Sequence, residues 1–314
     1  MEPYVGSRIL STSAGTNQEA FSPLDWTLFV SIGLIWGSSF LLIDIGLEAF
    51  KPGLITWMRV GLGALVLALV PKARRRIEPY DVPRLIALSF VWVAIPFTLF
   101  PIAQQYINSA VAGMLNGAMP IFAAIITTLL LRKLPHGAVL IGLILGFVGV
   151  ATISLSSGAE GSSETLGVVL ALLATACYGL AVNIAAPITQ QYGALAVNAR
   201  MLAYATIWTA PLGVTGLLHS TFAWDSMLAL VFLGAVGTGL AFVIMGSLVS
   251  RVGSTRSSFI TYMLPVVALV LGVLFRNDRV TVISLIGVAL VIAGALLAAR
   301  RESERPATAV TKAL

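Results

Sequence analysis

The chain has 314 residues, of which 58% are hydrophobic and 10% charged, with a formal net charge of +6. Soluble domains carry about a quarter charged residues, so this composition, with a mean hydropathy of +0.96, excludes a water-soluble fold and points to an integral membrane protein. Basic residues stand at the ends of apolar runs rather than in one patch, which excludes nucleic acid as a partner and leaves them as topology signals.

Residues 1–25 are polar and lack the basic-then-apolar order of a cleaved signal, so they read as a flexible cytoplasmic tail. A spanning helix needs about 20 apolar residues. That criterion predicts spans at 26–47, 53–71, 85–105, 110–131 and 138–156, then a Gly/Ser-rich linker, 157–165, carrying Glu160 and Glu164. Further spans follow at 166–187, 198–218, 226–249, 257–275 and 280–299, with a second tail at 301–314. The expected fold is all-α with ten transmembrane helices. If the N-terminus is cytoplasmic, Lys72, Arg74, Arg75, Arg76, Arg84, Arg132, Lys133, Arg251 and Arg256 fall in inner loops, and only Lys51, Arg276 and Arg279 in outer ones. This positive-inside bias predicts a multi-pass protein of the cytoplasmic membrane with both termini inside.

The chain also repeats itself. Pro120, Gly142 and Gly149 recur as Pro265, Gly287 and Gly294, each displaced by 145 positions, and Ser109 recurs as Ser254 on the same register. Residues 26–156 and 166–300 thus read as two five-helix repeats. Five is odd, so the second copy enters the membrane inverted, and the cavity between the copies is the expected solute path.

Proline breaks spans three, four and nine, at Pro96, Pro101, Pro120 and Pro265. Each frees a carbonyl, which lipid tolerates only beside a neighbour or a water-lined cavity. They read either as hinges or as static kinks that shape the packing. Gly142, Gly149, Gly287 and Gly294 read as close-packing positions, with a dimer contact as a further use; monomer and homodimer both stay open.

Intramembrane charge is costly and marks pairing or function. Asp44 lies near the outer end of the first span, with Glu48 one turn on, and Arg59 lies at similar depth in the second. One reading makes Asp44 a proton or cation site and Arg59 an anchor for a substrate carboxylate. The other makes Asp44 and Arg59 a structural ion pair. Uncharged candidates for the pocket are Trp36, Ser38, Ser39, Trp92, Gln104, Asn116, Tyr178, Asn183, Thr238 and Tyr262. Taken singly, packing or an interfacial aromatic belt accounts for most of them; as a set they suit a small amphipathic solute. The lone Cys177 excludes an internal disulfide, and no metal or cofactor is implied.

Trp36-Gly37-Ser38-Ser39-Phe40, Pro52 with Arg59, Tyr106-Ile107-Asn108-Ser109-Ala110 leading to Pro120, and Tyr262-Met263-Leu264-Pro265 together resemble the EamA family of the drug/metabolite transporter superfamily. The resemblance covers about residues 26–300 and implies ten helices in two repeats and efflux of amino acids or other metabolites. One departure stands out. The family's acidic turn after the fourth helix reads Leu131-Arg132-Lys133-Leu134 here, whereas the second copy keeps an acid in Asn277-Asp278-Arg279-Val280.

The leading expectation is a secondary transporter exporting an amino acid or amino-acid-like metabolite, with proton coupling or facilitated diffusion as its mode. No Gly-x-x-x-x-Gly-Lys-Ser/Thr loop is present, which argues against ATP hydrolysis by this chain. Multidrug or cation efflux is the nearest rival, weakened by an acid at the end rather than the middle of the first span. A scaffold or sensor is the alternative from another class. A membrane-embedded enzyme is disfavoured, because His136 and His219 fall in opposite loops and Cys177 has no partner in the spans.

Overall fold

A computed structural model of the protein describes residues 21–131, 137–156 and 162–299. Lys133, most of the 157–165 linker, residues 1–20 and the tail from 300 lie outside the described residues. Among those described, every regular element is helical. In chain order the helices are α1 (Pro23–Leu47), α2 (Pro52–Ala68), α3 (Pro79–Ala103), α4 (Ser109–Leu129), α5 (Leu140–Ile153), α6 (Glu164–Tyr192), α7 (Ala194–Leu218), α8 (Trp224–Val252), α9 (Arg256–Arg276) and α10 (Val282–Leu297). Seven of them are long and apolar enough to cross a membrane; α2, α5 and α10 are shorter apolar helices. The outward faces are apolar as well, with Leu65, Leu129, Ile144, Phe147, Leu217 and Leu274 exposed, as expected of a surface solvated by lipid.

Helix ends differ from the sequence expectation where local chemistry extends them. The first helix starts at Pro23, ahead of residue 26, because Ser22 and Asp25 form a capping box. Ser22 Oγ accepts from the Asp25 amide at 3.3 Å, and the Asp25 carboxylate accepts from the Ser22 amide at 3.0 Å. The sixth helix runs through Pro187 to Tyr192 and turns straight into α7 at Gly193, whose φ of 85° only glycine takes without strain.

Local devices recur on the 145-residue register. A π-helical stretch at Ser89–Ala94 in α3 is answered by Phe232–Leu240 in α8. Asn108 caps α4, its Oδ1 accepting from the Val111 amide at 2.8 Å, and Gly253 holds the matching position ahead of α9 with φ of 87°. The α-helical ladder of α4 breaks after Asn116, and that of α9 tightens to a 3-10 turn at Phe259–Tyr262, each just before its proline. Pro101 leaves the carbonyl of Phe97 without its helical donor; Thr56 Oγ1 of α2 sits 2.8 Å away and supplies one.

Helices α5 and α10 pack through their glycines. A Cβ at Gly149 would lie 2.7 Å from the Gly287 carbonyl oxygen, and one at Gly294 would lie 2.5 Å from that of Gly142. This crossing lies within the chain and brings the two backbones into direct contact.

Polar ties close both ends of the bundle. At the Asp25 end, Arg251 of α8 pairs with fully buried Asp25 at 2.5 Å, and the Tyr192 hydroxyl donates to Asp81 at 2.7 Å. At the Asp44 end, Arg276 of α9 pairs with both Asp44 and Glu48 of α1. Beside it Asp278 accepts from Ser109 Oγ at 2.8 Å and the Ala110 amide at 3.0 Å, so the acid after α9 caps the first turn of α4. Gly253, which matches Asn108 ahead of α9, has no side chain to contribute a cap.

Candidate functional site

The buried guanidinium of Arg59 is the centre of the polar interior. Its residue is 8% exposed, and it projects from α2 toward the π-helical stretch of α8. Two local features of the sequence bring Thr238 to it. The glycines of Phe232–Leu240 let α8 approach α2, and a Cβ at Gly63 would lie 2.7 Å from Thr238 Cγ2. The widened turn also gives the Thr238 hydroxyl the carbonyl of Leu233, five residues back, as its acceptor at 3.1 Å. The oxygen is thereby oriented to accept from Arg59 Nε at 3.2 Å.

Aromatic rings complete the surroundings. The Arg59 guanidinium carbon lies 3.8 Å from the centroid of the Phe97 ring, a cation–π contact. Tyr178 of α6 stands edge-on to Phe97 at 6.5 Å and stacks on Phe100 at 6.0 Å, and Phe100 meets Phe40 of α1 at 5.3 Å. Four helices (α1, α2, α3 and α6) and the π stretch of α8 thus converge on one charge. A guanidinium has five N–H donors. One meets Thr238, and among the described residues no carboxylate lies within salt-bridge distance of Arg59. A planar fork with donors to spare, on a wall of aromatic faces, is suited to a carboxylate carried by a partly apolar molecule.

The ion pair expected between Asp44 and Arg59 is not formed. Asp44 faces α9 and pairs with Arg276, while Arg59 turns inward to Thr238 and Phe97. Both positions have similar depth, but they lie on helix faces that look in different directions. The two roles therefore separate: Asp44 belongs to a tie at one end of the bundle, and Arg59 to its interior.

The other sequence candidates divide in the same way. Thr238 and Tyr178 join Arg59. Trp36, which stands edge-on to Phe242, and Trp92 pack against the apolar cluster that contains Phe97 and Val60. Asn183 is taken up by the protein, its Nδ2 donating to the carbonyls of Ala123 and Gly179 and its Oδ1 accepting from Thr127 Oγ1 at 2.7 Å. Ser38 and Ser39 bond back to the Ile35 carbonyl at 2.9 and 3.4 Å, where α1 breaks. Tyr262 stacks on Phe259. Asn116 is 4% exposed, and its Oδ1 has no hydrogen-bond partner. Sequence reasoning missed Phe97 and Phe100, which looked like generic apolar residues of the third span. Their spacing with Gln104 along one face of α3 was the available signal. Among the described residues no cluster of His, Cys, Asp or Glu could hold a metal.

The model of the EamA-like transporter family matches residues 26–155 and again 165–300. A probable terminal-alkyne amino-acid exporter of Streptantibioticus cattleyicolor is 24% identical over 91% of this chain and 96% of its own length. An uncharacterized transporter of Archaeoglobus fulgidus is 22% identical over 88% of this chain and 99% of its own. The inner membrane transporter YedA of Escherichia coli is 24% identical over 88% of this chain and 90% of its own. A chain of known crystal structure superposes with a TM-score of 0.58 over 88% of this chain and 98% of its own, at 18% identity, and so shares the fold.

Proposed function

The chain belongs to the EamA-like transporter family and is a multi-pass membrane transporter of small solutes; from that premise we propose that it exports an amino acid or amino-acid-like metabolite across the cytoplasmic membrane. The observation that carries the reading is buried Arg59, held by Thr238 and Phe97 with no acid beside it among the described residues. The carboxylate of the solute takes that place, and the rings of Tyr178 and Phe97 accept its apolar part. The relative from Streptantibioticus cattleyicolor, a probable terminal-alkyne amino-acid exporter, agrees in substrate class.

On this reading the helices cross the membrane ten times as two inverted five-helix repeats, with both termini cytoplasmic. The recurrence of π stretches, caps and proline breaks on one register supports the duplication, and the basic loops support the orientation. With 17 residues α2 is about 25 Å long. It spans by drawing the bilayer slightly inward rather than by tilting. The Asp44–Arg276 tie then closes the outer end, and the Asp25–Arg251 tie the inner.

The test is counterflow of radiolabelled amino acids into proteoliposomes that hold the purified full chain, alongside a panel of dicarboxylates and lipophilic cations. Flux of at least one amino acid, abolished in Arg59→Met, is the expected result. Transport of lipophilic cations alone would move the protein to the multidrug class, and no flux of any panel member would leave it a scaffold or sensor.

A further inference from the structure

Two carbonyl oxygens are buried beside Phe40 with nothing to accept. Gln104 is 6% and Asn116 4% exposed, and neither Gln104 Oε1 nor Asn116 Oδ1 has a hydrogen-bond partner. For Gln104 the amide cannot simply be turned over. Its Nε2 donates to the Phe40 carbonyl at 2.8 Å, and the reverse orientation would set two carbonyl oxygens against each other. The unsatisfied atom is therefore an acceptor by construction. Asn116 is the last residue of the first segment of α4, before the break at Gly117. The helix that carries it touches the other side of the same ring, since a Cβ at Gly113 would lie 3.2 Å from Phe40 Cδ2.

A buried polar atom left unpaired is costly in any protein and more so away from water. Here both acceptors stand on helices that approach Phe40, Gln104 through the Phe40 carbonyl and α4 through Gly113, and Phe40 is linked through Phe100 and Tyr178 to the rings around Arg59. Phe97, Phe100 and Gln104 follow one face of α3, so Gln104 lies about 10 Å along the helix from the level of the guanidinium. An anion-binding fork is thus followed, two turns nearer the Asp44 end, by two buried amide oxygens that a donor would satisfy. We infer that Gln104 Oε1 and Asn116 Oδ1 form an amine-accepting subsite that selects solutes bearing an ammonium or amide N–H. The inference rests on the transport reading above and adds the residues that tell an amino acid from a plain carboxylate. Arg59 and this subsite are successive stations, the first for the carboxylate and the second for the amine.

The experiment uses the purified full chain in proteoliposomes and two matched pairs of labelled probes, phenylalanine with 3-phenylpropionate and leucine with 4-methylpentanoate. The expected wild-type preference for the amine-bearing member is at least about tenfold, as befits a lost hydrogen bond to a charged group. Asn116→Leu and Gln104→Met should bring that preference toward unity while flux of the plain acids persists. Asn116→Asp keeps an acceptor in place and should preserve the preference, which a purely structural role would not predict. Unchanged selectivity in Asn116→Leu and Gln104→Met, or equal loss in Asn116→Asp and Asn116→Leu, would overturn the subsite. Equal wild-type flux of both members of each pair would also overturn it while leaving the transport reading intact; if another amino acid of the panel is carried instead, it and its deaminated counterpart form the pair, and absence of flux for every panel member removes both. Monodisperse elution in detergent identifies variants that fail to fold, and Asn116→Asp against Asn116→Leu decides the matter if Gln104→Met is among them.

Discussion

Arg59 carries a charge in the most apolar part of the molecule, and what surrounds it is only partly compensating. A cation–π contact out of water is worth about 2 kcal/mol, against an insertion cost of about 2.5–3.5 kcal/mol for a cation at the centre of a membrane helix. The arrangement is tolerable when empty and improved by an anion. Arg59→Lys should therefore retain folding but raise the half-saturating concentration of an amino acid, because a compact ammonium cannot match the two-pronged geometry of a carboxylate. Thr238→Val should raise the same constant by roughly 10–100-fold, the value of one hydrogen bond to a charged group, with maximal flux little altered; initial-rate counterflow measures both. Much of this site was legible in the sequence as residue types, since Arg59, Tyr178 and Thr238 are all unusual in apolar spans. Their association was not. Thr238 stands 179 positions from Arg59, and the contact depends on a π turn that no periodicity announces. Asp44 was assigned the nearer arginine in sequence, and the structure gives it one at the far end of α9.

At the scale of helices, small residues and local irregularities decide which surfaces meet. Glycine recurrence marked close-packing positions without naming their partners; the structure sets α5 against α10, because backbone contact is a requirement that only the absence of a side chain meets. The π stretches were invisible, since an added residue per turn changes hydrogen-bond partners without changing composition. Overpacking a well-filled interface costs about 1–3 kcal/mol, and the Gly294 site offers only backbone to push against. Gly294→Leu should accordingly lower the midpoint of thermal unfolding in detergent by several degrees and reduce the folded yield. Gly61→Ala is the control, since its added Cβ would meet nothing nearer than Thr206 Cγ2 at 3.6 Å. Equal destabilisation by both substitutions would show that the crossing has no special role.

For the molecule as a whole, charged groups tie the helices together at both ends of the bundle. Arg276 gathers Asp44 and Glu48, and Asp278 holds the first turn of α4. The Glu48 limb is half exposed and adds little; the partly buried Asp44 limb and the Asp278 cap supply most of the closure. Arg276→Gln combined with Asp278→Asn should weaken it by about 1–2 kcal/mol, a factor of roughly 5–30 in the opening equilibrium. A cysteine introduced at buried Ala112, in a Cys177→Ala background, should then react correspondingly faster with a membrane-impermeant thiol reagent. An unchanged labelling rate would show that these ties do not govern opening at that end.

The position matching Asp278 is Lys133 in the sequence, and Gly253, unlike Asn108, brings no side chain to the start of its helix. A carrier built from two equivalent halves would spend equal time facing either compartment. An acid at one position and a lysine at its match would weight one state over the other. The weighting cannot change where a passive solute finally equilibrates, but it sets unequal half-saturation on the two faces. The side that the capped state faces meets the binding-competent form more often and loads at lower concentration. One acid after α9, where the matching position is a lysine, would thus let a passive carrier load at different concentrations on its two faces without making it a pump.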